Sequence, residues 1–162
     1  MKSDQKNYAF IDSQNLNLGI QSLGWTLDYR KFRVYLREKY SVAVAYIFIG
    51  YVQQNQGLYA SLQKAGYILI FKPVLQDSTG RIKGNVDADL VLQAMIDYAV
   101  YDRAVIVTSD GDFYCLAKYL YNTGKLYTVL SPSFYKCSVL LKKAAKEKIR
   151  FIENVRSKVE LK

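Results

Sequence analysis

Val42-Ala-Val-Ala-Tyr-Ile-Phe-Ile49 carries no charge and mixes β-branched with aromatic side chains. A strand with one wet face alternates apolar with polar residues, whereas a strand covered on both faces reads as one nearly continuous apolar run. This stretch is of the second kind and predicts a buried strand in a parallel sheet. Working outward, Tyr8-Ala-Phe-Ile11 is a shorter run of the same type, stopped by Asp12. Tyr67-Ile-Leu-Ile-Phe71, Ala104-Val-Ile-Val107 and Leu126-Tyr-Thr-Val-Leu130 complete a set of apolar strand-like runs. Between them the period changes to that of a helix. Residues 25–40 place Leu27, Phe32, Tyr35 and Leu36 among charges, with Asp28 near the start. Residues 56–65 are helical and end at Gly66, residues 86–101 form a strong helix, and residues 112–122 form another, stopped by Gly124. Residues 134–146 read as a basic helix before a short charged tail. Residues 73–83 differ: Asp77-Ser-Thr-Gly80 signals a turn with polar and basic flanks, hence an exposed loop or hairpin.

Alternating strands and helices predict an α/β fold, a three-layer α/β/α sandwich around a mainly parallel five-stranded sheet. The 162 residues suit one domain with a sizeable core. Its core is expected over about residues 7–131, with residues 132–162 forming the basic C-terminal helix and tail.

The composition excludes whole classes of chemistry. No histidine is present, so His-based triads and His-ligated zinc or haem are ruled out, and acid–base or metal work falls to Asp, Glu, Lys, Tyr or water. Cys115 and Cys137 are too few for a disulfide framework or zinc site, and are expected as buried or half-buried thiols on helices. No apolar run reaches the roughly 20 residues that span a bilayer, and no signal-peptide pattern opens the chain, so a cytoplasmic protein without membrane association is expected. The net charge of +9 points to an anionic partner, most commonly nucleic acid. No P-loop or G-x-G-x-x-G is present, and nothing signals oligomerisation.

Against this basic background the acids are oddly placed. Asp12 ends the first strand. Asp110 follows the fourth, in Thr108-Ser-Asp-Gly-Asp112. Asp87 and Asp89 open the helix before it, and Asp112 opens the helix after it. Helices of a βαβ unit run antiparallel to their strands, so helix starts and strand ends share one edge of the sheet, where open α/β sheets bind ligands. Singly, each acid has an ordinary account as a strand stop, a dipole-favoured helix start or an N-cap. Together they would repel one another unless a cation lies between them. Hard oxygen donors suit Mg²⁺ or Mn²⁺, and two such ions roughly 4 Å apart, or one alone, support phosphodiester hydrolysis.

Three blocks resemble the NYN domain family (LabA-like), a branch of the PIN-like nucleases: Phe10-Ile-Asp-Ser-Gln-Asn15-Leu, Lys83-Gly-Asn-Val-Asp-Ala-Asp-Leu90 and Val107-Thr-Ser-Asp-Gly-Asp-Phe113. The resemblance spans about residues 7 to 131. It implies strand order 3-2-1-4-5 and a Rossmann-like, PIN-like sheet. It implies Mg²⁺ or Mn²⁺ on Asp12, Asp87, Asp110 and Asp112, with Asp89 a further candidate, and RNA as partner and substrate. Asn15 matches the polar partner after the first aspartate, and Lys83 the basic residue before the acidic helix. Ser13, Asn15, Arg81, Lys83 and Ser109 are the expected substrate-binding residues. Many relatives carry an acid where Gln93 stands here. The expected activity is metal-dependent hydrolysis of single-stranded RNA. A catalytically weak RNA- or nucleotide-binding module of the same fold, or a Toprim-like phosphotransfer domain, is the competing expectation. Two basic groups, one from Arg30 to Arg37 and one from Lys136 to Arg150, are candidates to follow a phosphate backbone.

Overall fold

The structure is a computed structural model that describes residues 4–73, 75–76, 78–79, 82–83 and 86–162; at residues 75–76 and 82–83 the description covers the backbone. The strands in chain order are β1 (Asn7–Asp12), β2 (Val42–Tyr51), β3 (Tyr67–Pro73), β4 (Leu75–Gln76), β5 (Ile82–Lys83), β6 (Ala104–Val107), β7 (Leu126–Ser131) and β8 (Ile149–Phe151). The helices are α1 (Ser13–Gln21), α2 (Tyr29–Tyr40), α3 (Gln56–Ala65), α4 (Asp87–Ile96), α5 (Tyr114–Asn122), α6 (Val139–Ala145) and α7 (Arg156–Val159).

Among the described residues, six strands form the main sheet in the order β3-β2-β1-β6-β7-β8, and every pairing is parallel. The expected order holds for the first five strands. The expected count of five does not: β8 adds a sixth at the edge beside β7. Its three residues, centred on exposed Arg150, are too short and too polar to stand out from the charged tail. Within the expected loop or hairpin of residues 73–83, β4 pairs antiparallel to β5, while residues 74, 77, 80 and 81 lie outside the described residues.

Side chains of each strand alternate between two apolar layers, as the pleat demands. Ala9, Ile11, Ala45, Ile47, Val105 and Val107 face one layer, with Leu16, Phe32, Leu62 and Val159 from α1, α2, α3 and α7. Phe10, Phe48, Ile106 and Val129 face the other, with Leu90, Leu116 and Leu141 from α4, α5 and α6. The burial of Phe10, Phe32, Phe48 and Phe113 is complete to within 1%, and each such side chain contributes about 1.5–3 kcal/mol. Local signals set the boundaries. Asp28 caps α2 by accepting from the backbone N–H groups of Arg30 (2.9 Å) and Lys31 (3.2 Å). Gly66 ends α3 at φ 104°, a left-handed conformation that only glycine adopts without strain.

Four expectations need correction. Helix α4 ends at Ile96 rather than running to residue 101, because residues 97–100 form turns. Helix α1 directly follows β1, where no helix was expected; six of its nine residues are polar or Gly, and only Leu16, Ile20 and Ser13 are buried. The C-terminal helix is confined to Val139–Ala145, because residues 132–138 form a turn. Cys137 is buried in that turn, whereas Cys115 is exposed on α5. Among the described residues no helix is long and apolar enough to cross a membrane.

Candidate metal centre

Parallel pairing of β1 with both β2 and β6 puts the ends of these strands at one edge. Asp12 is the last residue of β1 and also the N-cap of α1, its side chain accepting from the Asn15 N–H at 3.4 Å. Asp87 is the first residue of α4, at the same edge. Asp110 lies three residues past β6 and caps the 3-10 turn Gly111–Phe113, accepting from the Asp112 N–H at 2.9 Å. One carboxylate oxygen from each of Asp12, Asp87 and Asp110 lies within 4.8 Å of the other two. They line a cleft of about 240 Å³ together with Gln14, Asn15, Leu18 and Asp112.

Asp12 is 5% exposed, and its carboxyl is pushed up to about 6 from an ordinary 3.8. Burial is the main cause. The negative charges of Asp87 and Asp110 add to it, while the Asn15 N–H and the Thr108 hydroxyl oppose it. Burial and like charge act in the same direction, and a cation would relieve both.

A hydrogen-bond frame holds the acids. Thr108, fully buried, donates from Oγ1 to Asp12 Oδ2 (3.3 Å) and accepts from the Asp110 N–H (3.1 Å). Asn15 Oδ1 accepts from both the N–H (2.8 Å) and the hydroxyl (3.0 Å) of Ser109. The loop after β6 is thus tied to β1 and α1 at two points. Glycine is required at position 111 by a close approach: a Cβ there would stand 2.4 Å from Ser138 Oγ and 3.0 Å from Ser138 Cβ.

The remaining residues singled out from the sequence distribute as follows. Asp112 is exposed at the rim of the cleft and stands outside the trio of mutually close carboxylates. Asp89 turns to Lys72, its Oδ2 4.0 Å from Nζ. Ser13 is 2% exposed and hydrogen-bonds with the Tyr29 hydroxyl, so it belongs to the core side of α1. Asn15 lines the cleft, and its Oδ1 is committed to the N–H and hydroxyl of Ser109. Arg81 lies outside the described residues, as does the side chain of Lys83. Gln93 donates from Nε2 to Asp97 Oδ2 (2.9 Å), where the Tyr46 hydroxyl also donates (2.8 Å). Six residues along α4, or roughly 9 Å, separate it from Asp87, so it does not take the place of a carboxylate in the cleft.

The basic groups are also partly structural. Arg33 is 9% exposed, and its guanidinium donates to the carbonyls of Gly66, Val42 and Ala43, each at 3.3 Å. Lys31 Nζ donates to the Glu160 carbonyl (3.0 Å). Lys148 Nζ donates to the Leu126 carbonyl (3.1 Å), at the start of β7 and the opposite edge of the sheet. Sequence reasoning missed Thr108, Gln14 and Leu18. Thr108 was within reach, since it stands between the strand and the Asp-Gly-Asp turn.

The profile of the NYN domain family matches residues 7–153. Comparison with curated proteins yields no match. A crystal structure of a protein of unknown function from Vibrio parahaemolyticus RIMD 2210633 superposes with a TM-score of 0.79 at 22% identity, covering 99% of this chain and 100% of that one. At that identity the likeness extends to the fold alone. NYN domains fall within the PIN-like superfamily, whose members are typically nucleases that use divalent metals. With the profile running from the first strand of the sheet to beyond the last, this chain belongs to the NYN domain family of the PIN-like superfamily.

Proposed function

We propose that the protein is a divalent-metal-dependent nuclease that hydrolyses phosphodiester bonds, with single-stranded RNA as its substrate. The observation that carries this reading is the convergence of Asp12, Asp87 and Asp110, remote in the chain, with carboxylate oxygens within 4.8 Å of one another. The donor set fits a hard cation, being all oxygen and anionic. Asp12, Asp87 and Asp110 would hold Mg²⁺ or Mn²⁺, with Asp112 at the rim. When bound, the cation lowers the pKa of a water and neutralises charge on the phosphate. The chain itself supplies orientation: Thr108 fixes Asp12 against Asp110, and the Asn15–Ser109 bonds fix the loop carrying Asp110. The net charge of +9 favours a polyanionic substrate.

The test is incubation of labelled single-stranded RNA with the protein and Mn²⁺, beside Asp110→Asn and beside EDTA. Cleavage is expected from the wild type alone, with a loss of at least about 100-fold in Asp110→Asn. Calorimetric titration with Mn²⁺ should show uptake that the variant lacks. A second reading is favoured by one observation, the commitment of Gln93 to Asp97 rather than to the cleft: a nucleic-acid-binding module with weak chemistry. RNA binding with no metal-dependent cleavage would decide for it. Hydrolysis of small phosphate esters but not of RNA would instead favour a phosphotransfer domain.

A further inference from the structure

After β7 the chain turns through residues 132–138 at the edge of the sheet that carries the acidic cleft. The turn is locked against both walls of that cleft. The Ser138 N–H donates to the Ser109 carbonyl (3.1 Å), and Ser138 Oγ occupies the space a side chain at Gly111 would need. At its other end Pro132 Cγ lies 2.6 Å from where a Cβ on Gly19 would be, and Leu18, next to Gly19, lines the cleft.

From this braced turn two aromatic rings project. Phe134 is 51% exposed and Tyr135 91%. Phe134 packs edge-on against Phe151 (5.4 Å, 71°), its N–H donates to Glu153 Oε2 (2.5 Å), and Lys142 Nζ sits 3.7 Å from its ring centroid. Tyr135 stands at 89° to Phe134, with 5.6 Å between centroids. Phe134 is therefore a buttress, one side of it already taken by an ammonium group, while the ring of Tyr135 is open to solvent. Lys136 beside it is exposed, and its N–H donates to Ser133 Oγ (3.3 Å). Single exposed aromatics are common on protein surfaces. An exposed ring on a turn braced at both ends, with cations beside it and an acidic cleft on the same edge, has the parts that recognise nucleotides: a π face for a base and positive charge for the phosphates. Tyr135 and Ser138 are three Cα–Cα steps apart, so their Cα atoms lie within about 11 Å.

We propose that Tyr135 is a stacking platform for an unpaired base of the strand whose phosphate occupies the acidic cleft, and that it makes the site prefer single-stranded over paired nucleic acid. In a duplex both faces of each base are already covered by its neighbours, so the ring would have nothing to stack on. The inference rests on the nuclease reading of the cleft, and the experiment separates the two.

Binding is measured by fluorescence anisotropy with Ca²⁺ in place of Mn²⁺. The probes are a labelled single-stranded oligoribonucleotide, an abasic strand of equal length and charge, and a duplex. The wild type should prefer the unpaired strand to both others. Tyr135→Ala should weaken that binding by about tenfold or more, with little change on the abasic strand or the duplex. Tyr135→Trp should keep the affinity, and its added indole emission should be quenched by the unpaired strand. In Mn²⁺-supported turnover Tyr135→Ala should raise KM and leave kcat unchanged. Equal affinity of Tyr135→Ala and wild type for the unpaired strand would overturn the platform. So would equal losses on all three probes, or no preference in the wild type. Tyr135-dependent binding without Mn²⁺-dependent cleavage would keep the platform and remove the nuclease reading; cleavage with an unaltered KM in Tyr135→Ala would do the reverse.

Discussion

Asp12 holds its carboxylate where little water reaches and where two further carboxylates face it. A carboxyl whose folded-state pKa lies above its ordinary value binds its proton more tightly in the folded chain. The resulting stabilisation is complete below about pH 3.8 and is lost as the pH rises through about 6. At neutral pH the ionised group therefore costs the metal-free protein roughly 3 kcal/mol relative to its protonated form. Asp12→Asn keeps the shape and removes the charge. Its melting temperature in EDTA should exceed that of the wild type at pH 7 and converge with it near pH 4, as followed by circular dichroism. Added Mn²⁺ should raise the melting temperature of the wild type at pH 7.5 by more than at pH 5, because ligand carboxylates must be deprotonated to bind.

At the scale of elements, the turn Asp110-Gly111-Asp112 depends on its neighbour. Gly111→Ala would force Ser138 aside, since the new methyl would lie 2.4 Å from its hydroxyl and 3.0 Å from its Cβ. A loss of about 1–3 kcal/mol is expected in urea denaturation, with weaker Mn²⁺ uptake in the same variant because Asp110 moves with the turn. Adding Ser138→Gly should restore part of both. The elements differ in how plainly the sequence announces them, for physical reasons. The strands β1, β2, β3, β6 and β7 are apolar runs ended by polar residues, a pattern that burial on both faces dictates. Helix α1 buries only Leu16, Ile20 and the hydroxyl-bearing Ser13, so its helical period is hidden among Asn, Gln and Gly. The edge assignment of the acids was legible because strand ends and helix starts must coincide in a βαβ unit. The partners of Arg33 were not, since the carbonyls of Val42, Ala43 and Gly66 come together only after α2, β2 and α3 have packed. A charged residue on an amphipathic helix otherwise reads as solvent-facing. The quiet role of Gln93 was hidden likewise, because Asp97 and Tyr46 meet it from a later turn and another element.

For the whole molecule, the segment after α6 closes the structure rather than trailing from it. β8 extends the sheet, Ile152 and Val159 are fully buried, and the Asp28 and Leu161 N–H groups bond to the carbonyls of Val159 (2.8 Å) and Thr26 (2.9 Å). Ile152→Ala should cost about 2–5 kcal/mol in urea denaturation, as much as a substitution in the central sheet, even though the residue lies only ten positions from Lys162. A change confined to the surface would cost far less.

Helices α1 and α4 and the 3-10 turn before α5 all begin at the acidic edge, with Asp12, Asp87 and Asp110 at their starts. Each helix start carries a partial positive charge from its unpaired N–H groups. These dipoles offset part of the crowding of negative charge by themselves. The consequence is reversible loading: a chelator should strip the cation and leave a folded receptor behind, and returning the ion should refill it without a refolding step.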